Sequence, residues 1–109
     1  MQLPSFSEKF SDNLSMLPMV DKVVAIELVD ESGAQVGKIE NKPGQAGSLR
    51  VYCWLAEVFG SISPDAADVG LKIYGEHTQD ARANPGKHPN IDRLIYIRTP
   101  DQSLQVKAA

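Results

Sequence analysis

The stretch KVVAIELVDESGAQVGKIEN, residues 22–41, decides the fold class. Its first nine residues are mostly apolar and β-branched, which is typical of a buried strand. A turn follows in which Gly33 can adopt a positive φ, and residues 34–41 then alternate Val36 and Ile39 imperfectly with polar side chains. The stretch therefore predicts a β-hairpin, and hence an antiparallel sheet.

Upstream of the hairpin, the apolar residues predict a short helix. They recur at spacings of four, four and three and form one stripe: Phe6, Phe10, Leu14 and Leu17. Pro18 then ends the helix. We expect this helix to pack on the sheet rather than to bind a partner.

Downstream, SLRVYCWLAEVFG (48–60) predicts a second helix, with Ser48 as its N-cap and Gly60 just beyond its C-terminus. Because the helix is apolar on nearly every side, it needs cover on more than one face. A second copy of the chain would provide cover in a homodimer, through Val51, Trp54, Leu55 and Val58. The alternative is a central helix held between the sheet and the N-terminal helix.

The next segment has two interpretations. Ser63 and Pro64 start a helix well, and this helix either continues to Ala83 or ends at Gly70. Interior glycines disfavour the long helix by about 1 kcal/mol each. We therefore predict a short helix followed by a strand over 71–78.

The C-terminal part predicts a second hairpin, with IDRLIYIRT (91–99) as one strand and SLQVKA (103–108) as an edge strand. Residues 1–109 are thus expected to form a single α+β domain with two layers. Its mainly antiparallel sheet would have about five strands, covered on one face by two or three helices.

Composition excludes several classes of protein. The net charge is −3, whereas a nucleic-acid-binding domain normally carries a basic excess. The lone Cys53 excludes an internal disulfide and a cysteine-rich zinc site. With no signal peptide and no run of eighteen apolar residues, the chain is expected to be cytoplasmic and not to contact a membrane.

Two loops of similar chemistry are the candidates for a functional site. We call NKPGQAGS (41–48) the first Pro-Gly loop and NPGKHPN (84–90) the second, and both histidines of the chain lie near the second. The predicted ligand-binding residues are Asn41, Lys42, Ser48, Arg50, His77, His88, Asn90 and Arg93. Asp80 and Asp92 would orient the basic groups. Cationic side chains and a helix N-terminus together favour an anionic ligand.

Other chemistries have weaker support. The first loop lacks the glycine spacing and the Gly-Lys-Ser/Thr sequence of a P-loop. Four side chains could ligate a metal, although no known zinc spacing joins them: Glu76, His77, Asp80 and His88. Of these, His77, His88 and Asp80 are also the candidates for acid–base catalysis.

Three strings carry a resemblance to a known family: NLSMLP, IENKPGQAGSLRVY and EHTQDARANPGKHPNIDRL. Together they resemble a small bacterial family of domains of unknown function, over about residues 13–107. The resemblance implies a bacterial source and a complete domain. It implies no activity, cofactor or catalytic residue.

The sequence favours a binding domain over an enzyme, with no cofactor. Its ligand would be a small anionic molecule or a peptide carboxylate, held between the two Pro-Gly loops. One alternative is a small hydrolase or lyase that uses His77 or His88 as a base or metal ligand. Another is a purely structural homodimer subunit.

Overall fold

The computed structural model describes residues 3–109. Within that range the chain forms five α-helices, three β-strands and one 3₁₀ helix. In chain order they are α1 (Phe10–Ser15), β1 (Ala25–Val29), β2 (Gln35–Glu40), α2 (Ala46–Phe59), α3 (Pro64–Ile73), α4 (Glu76–Ala83), α5 (Pro89–Tyr96), the 3₁₀ helix Pro100–Gln102 and β3 (Gln105–Ala108). The predicted α+β class is confirmed, with more helices than expected.

The sheet is antiparallel throughout, in the order β2-β1-β3. The predicted hairpin is confirmed, with Ile26 of β1 opposite Ile39 of β2. Leu28 of β1 pairs on the other side with Val106. Ile26, Leu28 and Ile39 are all buried, so apolar burial holds the sheet in this register. The prediction of about five strands was wrong, since residues 3–109 contain three.

The predicted strand over 91–99 was wrong, because most of this segment, residues 91–96, lies in α5 instead. Its buried residues, Ile91, Leu94 and Ile97, are three apart, which is the period of a helix face and not of a strand. Pro89 occupies the first turn, where its missing N–H costs nothing. The second hairpin is therefore absent from the described residues, and β3 pairs with β1.

The predicted strand over 71–78 was also wrong, because helix α3 continues to Ile73 and α4 begins at Glu76. Gly70 lies inside α3, where an added Cβ would be 2.7 Å from a Leu94 methyl group and 2.9 Å from one of Leu55. The missing side chain lets α3 approach α2 and α5 closely. Gly75 has a φ of +57° and separates α3 from α4.

Helix α2 lies at the centre of the packing. It contacts β2, β3, α1 and α3, while α5 packs against α3 and α4. Gly60 ends α2 with a φ of +83°, as predicted. The prediction for Ser48 was wrong, since α2 begins at Ala46 and Ser48 lies inside its first turn. Ser63 caps α3 as predicted, and its hydroxyl accepts a hydrogen bond from the Ala66 N–H at 3.2 Å.

The predicted dimer face of α2 is partly occupied within the chain. Val51 and Leu55 are fully buried in the core, and Trp54 packs at its edge, where the ring of Phe6 meets it edge-on. In a homodimer through this face, the residues left to contact the partner would be Trp54 and Val58. The homodimer stays a prediction.

The N-terminal helix is shorter than predicted. Helix α1 covers Phe10–Ser15, so Phe6 precedes it and Leu17 follows it. Leu17 is nevertheless buried, and Phe10 stacks on Tyr74, the residue just after α3, with ring centroids 5.1 Å apart. In residues 3–109 no helix combines the length and apolar character that crossing a membrane requires.

Candidate functional site

The two Pro-Gly loops meet at one cleft of about 240 Å³, which we call the loop cleft. Gly44 and Ser48 line it from the first loop and the start of α2. Lys87, His88 and Asn90 line it from the second loop and the start of α5. The remaining lining residues are Phe10, Tyr74, His77, Pro89 and Ile91.

Three helices begin at the loop cleft. Ser48 is the third residue of α2, His77 the second of α4 and Asn90 the second of α5. The positive ends of three helix dipoles are therefore directed toward this region. The backbone N–H groups of Ser48 and Asn90 have no hydrogen-bond acceptor among residues 3–109, whereas the N–H of His77 donates to the Tyr74 carbonyl at 3.1 Å.

The two imidazoles are neighbours, with ring centroids 5.8 Å apart, and each is paired with its own carboxylate. His88 Nε2 lies 2.6 Å from Asp80 Oδ2, and His77 Nε2 lies 3.6 Å from Glu76 Oε1. Because the Asp80 carboxylate accepts the Nε2–H bond, a neutral His88 keeps Nδ1 as its acceptor nitrogen.

Asp80 organises the second loop. Besides His88, its Oδ2 binds Lys87 Nζ at 2.9 Å, and its Oδ1 accepts from the Asn84 side chain at 3.0 Å. The hydrogen bonds from His88 and then Lys87 lower the pKa of Asp80 to about 2. Asp92 accepts from the Gly86 N–H at 2.8 Å, so this carboxylate closes the loop.

Two buried tyrosines fix the cleft wall from behind. Tyr74 donates its hydroxyl hydrogen to Ser48 Oγ at 2.7 Å, and Tyr52 donates to the Asn90 carbonyl at 2.6 Å. Burial raises the pKa of Tyr74, and it raises that of Tyr52 to about 12. Both hydroxyls thus remain donors. Since Ser48 accepts from Tyr74, its own hydrogen is available to donate elsewhere.

Four of the eight predicted binding residues line the loop cleft, namely Ser48, His77, His88 and Asn90. The other four lie elsewhere. The Asn41 amide donates to the carbonyls of Val20 and Val23, at 3.1 and 2.7 Å. The Arg50 guanidinium donates to the carbonyls of Leu17 and Pro18.

Lys42 and Arg93 also bind other side chains of the protein. Lys42 Nζ lies 3.4 Å from Glu40 on the surface, and Arg93 donates to Asn90 Oδ1 at 2.8 Å. Arg93 therefore supports the cleft wall through Asn90. A role in ligand binding stays a prediction for all four.

Sequence reasoning missed Lys87, Phe10 and Tyr74. Lys87 stands inside the quoted second loop, and its position there was the available signal. Tyr74 was assigned to a strand, so its position among the helices was not foreseen.

No three His, Cys, Asp or Glu side chains anywhere in 3–109 converge as a metal site, and the four candidate ligands form two separate pairs.

Comparison with known proteins identifies a family. A family model described as "Uncharacterized protein conserved in bacteria (DUF2322)" matches residues 10–108. No curated protein and no solved structure matches the chain. The match covers both Pro-Gly loops and every residue that lines the loop cleft.

Proposed function

The chain belongs to the DUF2322 family of uncharacterised proteins conserved in bacteria, and for this chain we propose that the loop cleft binds a small anion. One observation carries the proposal. Both Pro-Gly loops, both imidazoles and the Lys87 ammonium surround a single concavity. Such a convergence of hydrogen-bond donors and cationic groups is what recognition of phosphate or carboxylate requires.

The donor geometry supports an anion over a neutral ligand. Ser48 has a hydroxyl hydrogen to donate because its oxygen accepts from Tyr74. The N–H of Asn90 is held at the cleft, since Tyr52 fixes the same residue through its carbonyl. These donors lie at the N-termini of α2 and α5, where the helix dipole also favours negative charge.

The size of the loop cleft restricts the ligand. Its volume of about 240 Å³ lies below the range of roughly 300–1,000 Å³ that is typical of drug-sized ligands. The cleft suits a phosphate, a sulfate or a short carboxylate, or the terminal group of a longer molecule. A whole nucleotide would extend beyond it.

Nuclear magnetic resonance tests this proposal directly. We expect phosphate, added at pH 6 to the ¹⁵N-labelled chain, to shift the amides of Ser48, His77, His88 and Asn90 in a saturable manner. Lys87→Ala should weaken binding several-fold, whereas Lys107→Ala, which removes the same charge from β3, should not. Shifts that neither saturate nor cluster at the cleft would overturn the proposal.

Acid–base catalysis is a second candidate function, favoured by the 2.6 Å contact of His88 with Asp80. A carboxylate that orients an imidazole is the arrangement of a general base in hydrolases. A panel of activated esters and phosphate monoesters tests it. Turnover that is lost in both His88→Gln and Asp80→Asn would support a small hydrolase, and the absence of turnover across the panel would leave binding as the function.

A further inference from the structure

The charge around the loop cleft depends on its two histidines. The fixed charges paired with the imidazoles or with their partners are one ammonium, Lys87, and two carboxylates, Asp80 and Glu76. Two further charges, the guanidinium of Arg93 and the carboxylate of Asp92, bind Asn90 and Gly86 and offset each other. With both imidazoles neutral, this leaves one net negative charge, which opposes an anion. With both imidazoles protonated, the balance reverses to one net positive charge. The anion site is therefore complete only when the imidazoles carry protons.

We propose that the loop cleft binds a dianionic oxoanion of the phosphate or sulfate class, and that His77 and His88 take up protons as it binds. This inference rests on the proposed function and names its ligand class and its regulation. Imidazole ordinarily changes charge between pH 5 and 8. A ligand that prefers the protonated form must by linkage draw protons onto the site.

The structure allows both imidazoles to be charged together. Two imidazolium rings with centroids 5.8 Å apart would repel each other if they stood alone. Here each has a separate counter-ion, Asp80 for His88 and Glu76 for His77. The low pKa of Asp80 keeps that carboxylate charged throughout the range in which imidazole titrates.

Apart from Lys87, the other residues that line the loop cleft with the two rings carry no charge. Helix α1 presents the phenyl ring of Phe10, whose centroid lies 5.5 Å from that of His77. Helix α2 presents the hydroxyl of Ser48, and the end of α3 presents that of its C-cap residue Tyr74; the two hydroxyls bond to each other. Lys87 faces His88 through their shared partner Asp80. With both imidazoles protonated, the cleft holds three cationic groups, namely Lys87, His77 and His88. A dianion offsets the repulsion among them better than a monoanion does, so the site should bind dianions more tightly than monoanions.

Sulfate is the appropriate probe, because it remains a dianion across the whole pH range of the test. Any pH dependence of its binding then belongs to the protein. Calorimetric titration at pH 5.5, 7.0 and 8.5, in two buffers of different ionisation enthalpy, gives both the affinity and the number of protons taken up. We expect at least tenfold tighter binding at pH 5.5, uptake of between one and two protons near neutral pH, and weaker binding of acetate.

Two variants assign the protons. His77→Gln and His88→Gln keep a hydrogen-bonding side chain of similar size, and each should reduce the proton uptake by about one. Lys107→Ala is the matched control, and it should leave the uptake unchanged. The thermal unfolding midpoint of each variant shows whether it is folded at all three pH values.

The outcomes separate this inference from the proposed function. Sulfate that binds in the cleft with equal affinity at pH 5.5 and pH 8.5 would overturn the proton coupling and leave the anion site intact. Acetate that binds as tightly as sulfate would overturn the ligand class. Failure of phosphate, sulfate and acetate alike to bind at pH 5.5 would overturn both the inference and the proposed function.

Discussion

Asp80 connects α4 to the second Pro-Gly loop, because its carboxylate binds both His88 and Lys87. Together these two hydrogen bonds lower its pKa from 3.8 to about 2. A carboxylate whose pKa is lower in the folded chain than in the unfolded chain stabilises the fold in its charged form. The stabilisation is present above about pH 4 and is lost as the pH falls toward 2.

We therefore expect Asp80→Asn to lower the free energy of unfolding at pH 6, and by progressively less as the pH falls from 4 to 2. Urea denaturation of both proteins across this range measures the difference. Asp101→Asn, a substitution of an exposed carboxylate in the 3₁₀ helix, is the control for the general effect of lost negative charge. A destabilisation that is independent of pH would contradict the role assigned to Asp80.

At this scale the sequence predicted part of the candidate site. His77, His88, Ser48 and Asn90 were identifiable because loop chemistry and residue type are local properties of the sequence. The positions of Asn41 and Arg50 were not, since their side chains bind backbone carbonyls of 17–23, and these contacts exist only in the fold. Nor does any local pattern show that Tyr74 would donate to Ser48, twenty-six residues away.

Among the elements, the apolar run that a turn accompanies was predicted correctly and the later apolar run was not. The hairpin of β1 and β2 combines a β-branched run with a turn at Gly33. In α5, by contrast, the strand was inferred from the unbroken apolar run at 94–97, and short runs of this kind do not distinguish helix from strand. Packing against α3 favours the helix, because Leu94 fills the space left by the missing side chain of Gly70.

The break between α3 and α4 depends on Gly75. It has a positive φ, and an added Cβ would lie 2.5 Å from the Glu8 carbonyl oxygen. We expect Gly75→Ala to lower the free energy of unfolding by about 1–3 kcal/mol through backbone strain, and by a further ~1–3 kcal/mol through the collision. Chemical denaturation measures the total.

Gly33→Ala is the matched control for this substitution. Gly33 also has a positive φ, but no atom lies within 4 Å of its added Cβ. Its cost should therefore be the strain alone. Equal destabilisation by the two substitutions would show that the contact between Gly75 and Glu8 does not constrain the fold.

For the molecule as a whole, Asn13 attaches the N-terminal segment to the helices that build the loop cleft. It is a polar residue that is fully buried. Its amide donates to the carbonyls of Ser7 and Ile73, each at 2.9 Å, and its Oδ1 accepts from the Ser7 N–H at 2.7 Å. These bonds hold the start of α1 against the end of α3.

The segment that Asn13 attaches also forms part of the loop cleft, through Phe10. Phe10, which Asn13 helps to position, stacks on Tyr74 and contacts His77 edge-on. Its backbone N–H also donates to Glu76 Oε1 at 2.9 Å, the same carboxylate oxygen that pairs with His77. Displacing the segment would therefore disturb both the wall of the cleft and the counter-ion of one imidazole.

We predict that Asn13→Ala lowers the free energy of unfolding by about 1–3 kcal/mol, because it leaves buried backbone groups without partners. It should also weaken sulfate binding several-fold at pH 5.5, although Asn13 does not line the cleft. Ser15→Ala removes an exposed hydroxyl of the same helix and should change neither quantity appreciably. If Asn13→Ala were destabilised and yet bound sulfate like the unmodified chain, α1 would serve only to cover the core, and the cleft would be built by α2, α4 and α5 alone.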